Sequence, residues 1–183
     1  MATIPSPATA AVGGKETASG WNADVRDEAL FWTTNRPLGQ SVQTVAQTGW
    51  TTATFTSITF TTEDIDRDGQ HSTSSNTSRY VIGTTLGWYR VSGVYCAAGN
   101  AAATLLRARI ALNGTAVQGS PNSINPGGTS GILCVSTFAV FVQATASADF
   151  VEVQGYMAAP SGTIGTATSG EFVSALNVEW LGS

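Results

Sequence analysis

Residues 80–98, YVIGTTLGWYRVSGVYCAA, decide the fold. Two β-rich runs, Tyr80–Thr84 and Trp88–Ala98, stand on either side of a short connection that contains Gly87. β-Branched and aromatic residues fill both, which suits a pleated, half-buried surface. Upstream lies the acidic stretch Glu63–Ser75, EDIDRDGQHSTSS, rich in turn-forming residues. A strand pair entered through a polar turn predicts an antiparallel β-domain.

The same grammar extends in both directions from residue 40. Expected strands are Ser41–Gln47, Trp50–Phe60, Tyr80–Thr84, Trp88–Ala98, Thr104–Leu112, Thr115–Gly119, Gly131–Val142, Phe150–Met157, Gly162–Ala167 and Phe172–Leu181. Thr54–Phe60 and Phe150–Tyr156 alternate apolar and polar residues, so each has one core face. Asn113-Gly114 is the strongest hairpin signal, because both positions tolerate positive φ. About ten short strands without intervening helices predict an all-β, two-sheet jelly-roll sandwich over residues 37–183. Strands Thr104–Ile110 and Ser136–Val142 read as apolar on both faces, which predicts burial against sister subunits.

Residues 19–36 form the one convincing helix. Ser19 is its expected cap, and Arg36-Pro37 ends it, since a residue before proline leaves the helical region. Trp21, Val25, Leu30, Phe31 and Trp32 give it an apolar stripe that one short helix cannot bury alone. The main domain, sister helices around a symmetry axis or a foreign surface can cover them; an interface is favoured, so these five are the expected attachment or trimer-interface residues. Residues 1–18, rich in Ala, Thr, Pro and Gly, read as an extended arm.

Composition narrows the function. Only 11% of residues are charged, and the formal net charge is −4. With a single lysine, Lys15, and no basic run, nucleic acid is not an expected partner. No apolar run reaches the roughly 18 residues of a membrane span. The start lacks the pattern of a secretory leader, so synthesis in a cytoplasm is expected. A reducing interior favours Cys96 and Cys134 as free buried thiols; one intra-sheet disulfide is the alternative.

Catalytic chemistry is sparse. The single histidine, His71, sits in the polar turn and has no expected role as a base. Asp149 and Glu152 are at odd spacing on a strand and point to opposite faces. Asp64-x-Asp66-x-Asp68-Gly69 matches the first half of a calcium loop, but Ser75 occupies the place of the bidentate Glu. A solvated turn is therefore the first reading of that stretch. A hard-cation site at Asp64, Asp66 and Asp68, with calcium as its cofactor, is the second. No enzymatic activity is expected.

In order, Gly87-Trp88-Tyr89-Arg90-Val91-Ser92-Gly93, Leu112-Asn113-Gly114-Thr115, Ala148–Val153 and Ser174–Trp180 resemble the jelly roll of complement-type and tumour-necrosis-factor-like domains. Together with Ala18–Asp27, Asn35-Arg36-Pro37 and the acidic turn, they resemble small virion proteins of tailed bacteriophages that infect actinobacteria. The resemblance implies a homotrimer on a virion surface, a head-fibre-like capsid decoration protein held to the major capsid protein by the arm and helix. The alternative is a tail-tip or tail-fibre component binding a host glycan through Gly119–Ser130 and Ala158–Gly170. A secreted trimeric adhesin is a third reading, disfavoured by the missing leader.

Overall fold

The structure, a computed structural model, describes residues 17–128 and 130–183. Most of the expected arm, residues 1–16, lies outside the described residues. The helix α1 spans Ala18–Leu30 and continues as one π-helical turn, Phe31–Asn35. Its cap is Thr17, whose hydroxyl accepts the Gly20 N–H at 3.1 Å, so the helix begins ahead of Ser19.

Two six-stranded antiparallel sheets follow. The first, sheet I, runs β10 (Val140–Ala144), β5 (Gly87–Ala97), β12 (Ala175–Gly182), β1 (Leu38–Val42) and β3 (Thr62–Asp66). The short β9 (Leu133–Ser136) extends it along the far half of β5. Sheet II runs β2 (Thr56–Ser57), β11 (Phe150–Ala158), β6 (Leu105–Leu112) and β7 (Thr115–Ala116). In it β4 (Tyr80–Val81) also pairs with β11, and β8 (Asn122–Ile124) with β6. This is the expected jelly-roll sandwich.

Alternation fixes which side of each strand is core. Along β5, Tyr89, Val91 and Tyr95 are fully buried while Trp88 and Arg90 face out. The inner faces meet through Val151, Val153, Met157, Leu106, Ala108 and Ile110 from sheet II and Leu176, Val178 and Trp180 from sheet I. Two tyrosines key the sheets together. A Cβ on Gly39 of β1 would fall 2.1 Å from the Tyr80 ring, and one on Gly155 of β11 would fall 2.8 Å from the Tyr95 ring. Each ring thus occupies the space that a side chain on the opposite sheet would need. Their hydroxyls are satisfied, Tyr80 donating to Asp66 at 3.2 Å and Tyr95 to the Gly165 carbonyl at 2.8 Å. Burial pushes the pKa of both phenols upward, so neither ionises.

Several expected strands change form. Gly131–Val142 breaks into β9 and β10 because Thr137 intervenes: its hydroxyl accepts the Gly93 N–H at 3.0 Å where a ladder carbonyl would stand. Of Trp50–Phe60 only Thr56–Ser57 is strand, since a turn at Thr52–Ala53 with Ala53 at φ 57° interrupts the run. The expected Ser41–Gln47 strand begins earlier, at Leu38, and stops at Val42. Gly162–Ala167 contributes only isolated bridges. On β6, Arg107 and Arg109 lie on the outer side, so that strand is apolar on one face only.

The Asn113-Gly114 hairpin forms as expected, with φ of 51° and 78°. Asp149 braces it from β11's entry, accepting from Asn113 Nδ2 at 2.8 Å and from the amides of Thr145 and Ala146 at 2.7 and 2.9 Å. The Asn113 hydrogen bond, then those two amides, hold the Asp149 carboxyl below its ordinary 3.8. Such a group contributes stability above its unfolded pKa and loses it as pH falls through the lower folded value. Acidification below about pH 4 should therefore cost stability, and Asp149→Asn should flatten that part of a urea-midpoint profile. At neutral pH the same variant should lose about 1–3 kcal/mol.

Cys96 and Cys134 form a disulfide, which corrects the expectation of free thiols. The reason is register: β5 and β9 set Cys96 directly opposite Cys134, with Cα atoms 4.0 Å apart. The bond closes a 38-residue separation, worth about 4 kcal/mol of denatured-state entropy. Thiol titration in denaturant should find no reactive sulfhydryl. The Cys96→Ala/Cys134→Ala variant should unfold with that loss in urea.

Candidate functional site

The outer face of sheet I is the leading candidate. Cross-strand register builds it in rows. Phe141 of β10 stands opposite Arg90 of β5, Arg90 opposite Glu179 of β12, and Glu179 opposite Leu38 of β1. The next row carries Ser92, Asn177, Gln40 and Ile65. Beyond Phe141, Trp88 pairs with Gln143, and Leu181 is extruded at a bulge between Trp180 and Gly182. Trp88 is 45% exposed and Phe141 64%, with Leu181, Leu86 and Ile65 also open.

Between these apolar residues runs a polar seam. Arg36 and Arg90 each donate to one oxygen of Glu179, and Gln40 donates to Asn177 at 2.9 Å. The seam floors a shallow cavity of about 290 Å³, lined among others by Leu38, Ile65, Arg90 and Ala139. Large apolar side chains flanking a cross-linked polar strip are what a subunit interface presents. Trp88 and Phe141 were absent from the sequence expectations, although strict alternation around Tyr89 already required one of its neighbours to face out.

The helix supplies a second exposed apolar surface. Trp21, Val25, Leu30 and Trp32 are exposed, and α1 buries no residue of its own. Phe31 departs from its expected role. It is 2% exposed and packs edge-on against Trp180 at 5.2 Å, so it plugs the helix into its own core. Trp32 leans on the same Trp180 ring at 5.7 Å while leaving half its surface open. The π-helical turn at Phe31–Asn35 lets both rings reach Trp180. Phe31→Ala should cost about 3–4 kcal/mol in urea. Trp21→Ala should change stability by less than about 0.5 kcal/mol.

The acidic stretch is a strand, not a turn, through Asp66. Thr62–Asp66 pairs with β1, and Asp64, skipped by the register, is exposed. Asp66 accepts the Gln70 and His71 amides at 3.0 and 3.2 Å as well as Tyr80, and Asp68 accepts Gln70 Nε2 at 2.6 Å. Both carboxylates thus tie the following loop to the sandwich. Among the described residues no three ligating side chains gather to hold a metal ion, so the calcium reading finds no ligand set. His71 is buried, its Nδ1 2.9 Å from Glu63 and its Nε2 3.1 Å from the Thr77 carbonyl. With an acceptor at each nitrogen it is a structural clamp.

These sheets and their order define a jelly-roll sandwich. Among solved structures, the crystal structure of murine APRIL is similar, with a TM-score of 0.53 at 9% sequence identity. The match covers 79% of this chain and 98% of that one, and at such identity it speaks for the fold alone. No protein-family model matches the chain, and no curated protein matches it in sequence. No helix among the described residues is long and apolar enough to cross a membrane.

Proposed function

We propose that the chain is a structural virion protein, a capsid decoration subunit that assembles as a homotrimer through the outer face of sheet I. The observation that carries the trimer is the pair of open aromatics, Trp88 and Phe141, beside the Arg36–Glu179–Arg90 bridge. A closed three-fold ring buries such a face on every subunit at once, whereas an open chain of contacts always leaves one exposed. Attachment to the capsid falls to the arm and to α1, whose Trp21 and Val25 find no cover in their own domain. The motif order Gly87–Gly93, Asn113-Gly114 and Ser174–Trp180, with the helix ahead of it, supports the virion assignment.

Light scattering on the eluting protein should give three times the 18.8 kDa chain mass. Phe141→Glu combined with Trp88→Glu should give a folded monomer, because burying two carboxylates at a packed interface is prohibitive. A wild-type monomer at micromolar concentration sinks the trimer. Attachment is tested separately by removing residues 1–30, a cut that retains the Phe31 plug. The truncated trimer should stay folded and fail to join particles; undiminished incorporation rejects the capsid assignment.

A further inference from the structure

The opposite face of the domain carries a feature that the trimer leaves unused. On the outer side of sheet II, three arginines lie over three aromatic rings: Arg79 over Phe150 at 4.2 Å, Arg107 over Tyr156 at 5.3 Å and Arg109 over Phe55 at 3.7 Å. Arg79 has a counter-charge in the buried Glu152, 3.7 Å away, whose oxygens also accept from Ser57 and Ser78. Among the described residues Arg107 and Arg109 have no carboxylate partner, in a chain whose net charge is −4. Two residues apart on one strand, they point the same way and repel each other.

The protein nevertheless holds them in place. Arg109 Nε donates to Gln154 Oε1 at 2.7 Å, and Gln154 is in turn anchored to Ser57 at 3.3 Å. That fixes the Arg109 plane on Phe55 and leaves its terminal nitrogens turned outward. Partial burial lowers the Arg109 pKa from its ordinary value, the mark of a cation short of solvent. Register puts Ser123 of β8 directly opposite Arg107. These groups line a groove of about 280 Å³ walled by Phe55 and Pro121.

We propose that this groove is a binding site for the carboxylate of an acidic sugar. One carboxylate between Arg107 and Arg109 removes their repulsion and completes a charge-assisted pair, with Ser123 placed to meet a ring hydroxyl. The size favours a single sugar ring, since small-molecule pockets begin near 300 Å³ and an extended peptide needs a groove lengthening by about 3.3 Å per residue. Because the groove lies on the sheet opposite Trp88 and Phe141, monomer and trimer alike present it. In a trimer, three copies multiply the avidity for a glycan-coated surface.

The test is a titration of the full chain, followed through the arginine Nε–Hε signals. Glucuronate, galacturonate and N-acetylneuraminate are the probes, with glucose, acetate and a hexaglutamate peptide as comparisons. At least one acidic sugar should move the Arg107 and Arg109 signals, binding about tenfold tighter than glucose or acetate. Which sugar responds distinguishes a uronate from a sialate source. Arg107→Gln, at the groove rim, should weaken binding about tenfold, and added salt should weaken it further. Arg109→Gln should do the same, and where it lowers the yield of folded protein Arg107→Gln carries the result. Binding equal to glucose, binding equal to acetate, tighter binding of hexaglutamate, or an Arg107→Gln protein that binds as wild type each overturns the proposal.

Discussion

Everything in this domain depends on two sheets staying in one registration, and two tyrosines enforce it. Tyr80 enters from sheet II over Gly39 of sheet I, and Tyr95 enters from sheet I over Gly155 of sheet II. A hydrophobic core of Val, Ile and Leu tolerates sliding better than a keyed one, because its contacts are non-directional. Here each ring sits in a recess that exists only where a glycine lies, and each hydroxyl reaches one acceptor beyond it. Sliding either sheet would break a hydrogen bond and drive a ring into backbone. The outer faces inherit their precision from this lock, since every exposed row is the reverse side of a keyed strand.

How much of this was legible in the sequence follows from the range of each interaction. The Asn113-Gly114 hairpin was readable because its determinant, positive φ at two adjacent residues, is local. The alternation through Gly87–Val94 was readable for the same reason, and with it the all-β class. Glu63–Asp66 was misread as a turn because its strand character comes from pairing with Leu38–Val42, more than twenty positions upstream. The Cys96–Cys134 bond depends on the register between β5 and β9, which no local pattern reports. Helical spacing placed these apolar residues on one helix but could not say which ring belongs to the domain. Phe31 and Trp32 look equivalent in sequence and both reach Trp180; burial distinguishes them, with Phe31 2% and Trp32 52% exposed.

The scarcity of charge now has a structural meaning. Two clusters of the charged groups that remain lie on the outer sides of the sheets: Arg36, Arg90 and Glu179 on sheet I, and Arg79, Glu152, Arg107 and Arg109 on sheet II. Hydroxyl side chains cover much of the rest, as with Thr44, Thr61 and Thr62, whose hydroxyls bond one another. Both clusters carry more arginine than carboxylate, two Arg against one Glu on sheet I and three against one on sheet II. Because the two clusters lie on opposite sheets, the proposed self-association and the proposed ligand capture would not compete for one surface.

The Phe31 plug also determines how the domain bears load. Tension applied through α1 enters the sandwich at Phe31 and Trp180, then passes directly into Leu38–Val42. That strand is hydrogen-bonded on both sides, to β12 and to β3, so a pull along it loads two ladders together instead of peeling one bond at a time. The mechanical entry point of the protein is thus among its best-supported strands, and a pull on the helix is spread through the sheet before any single contact yields.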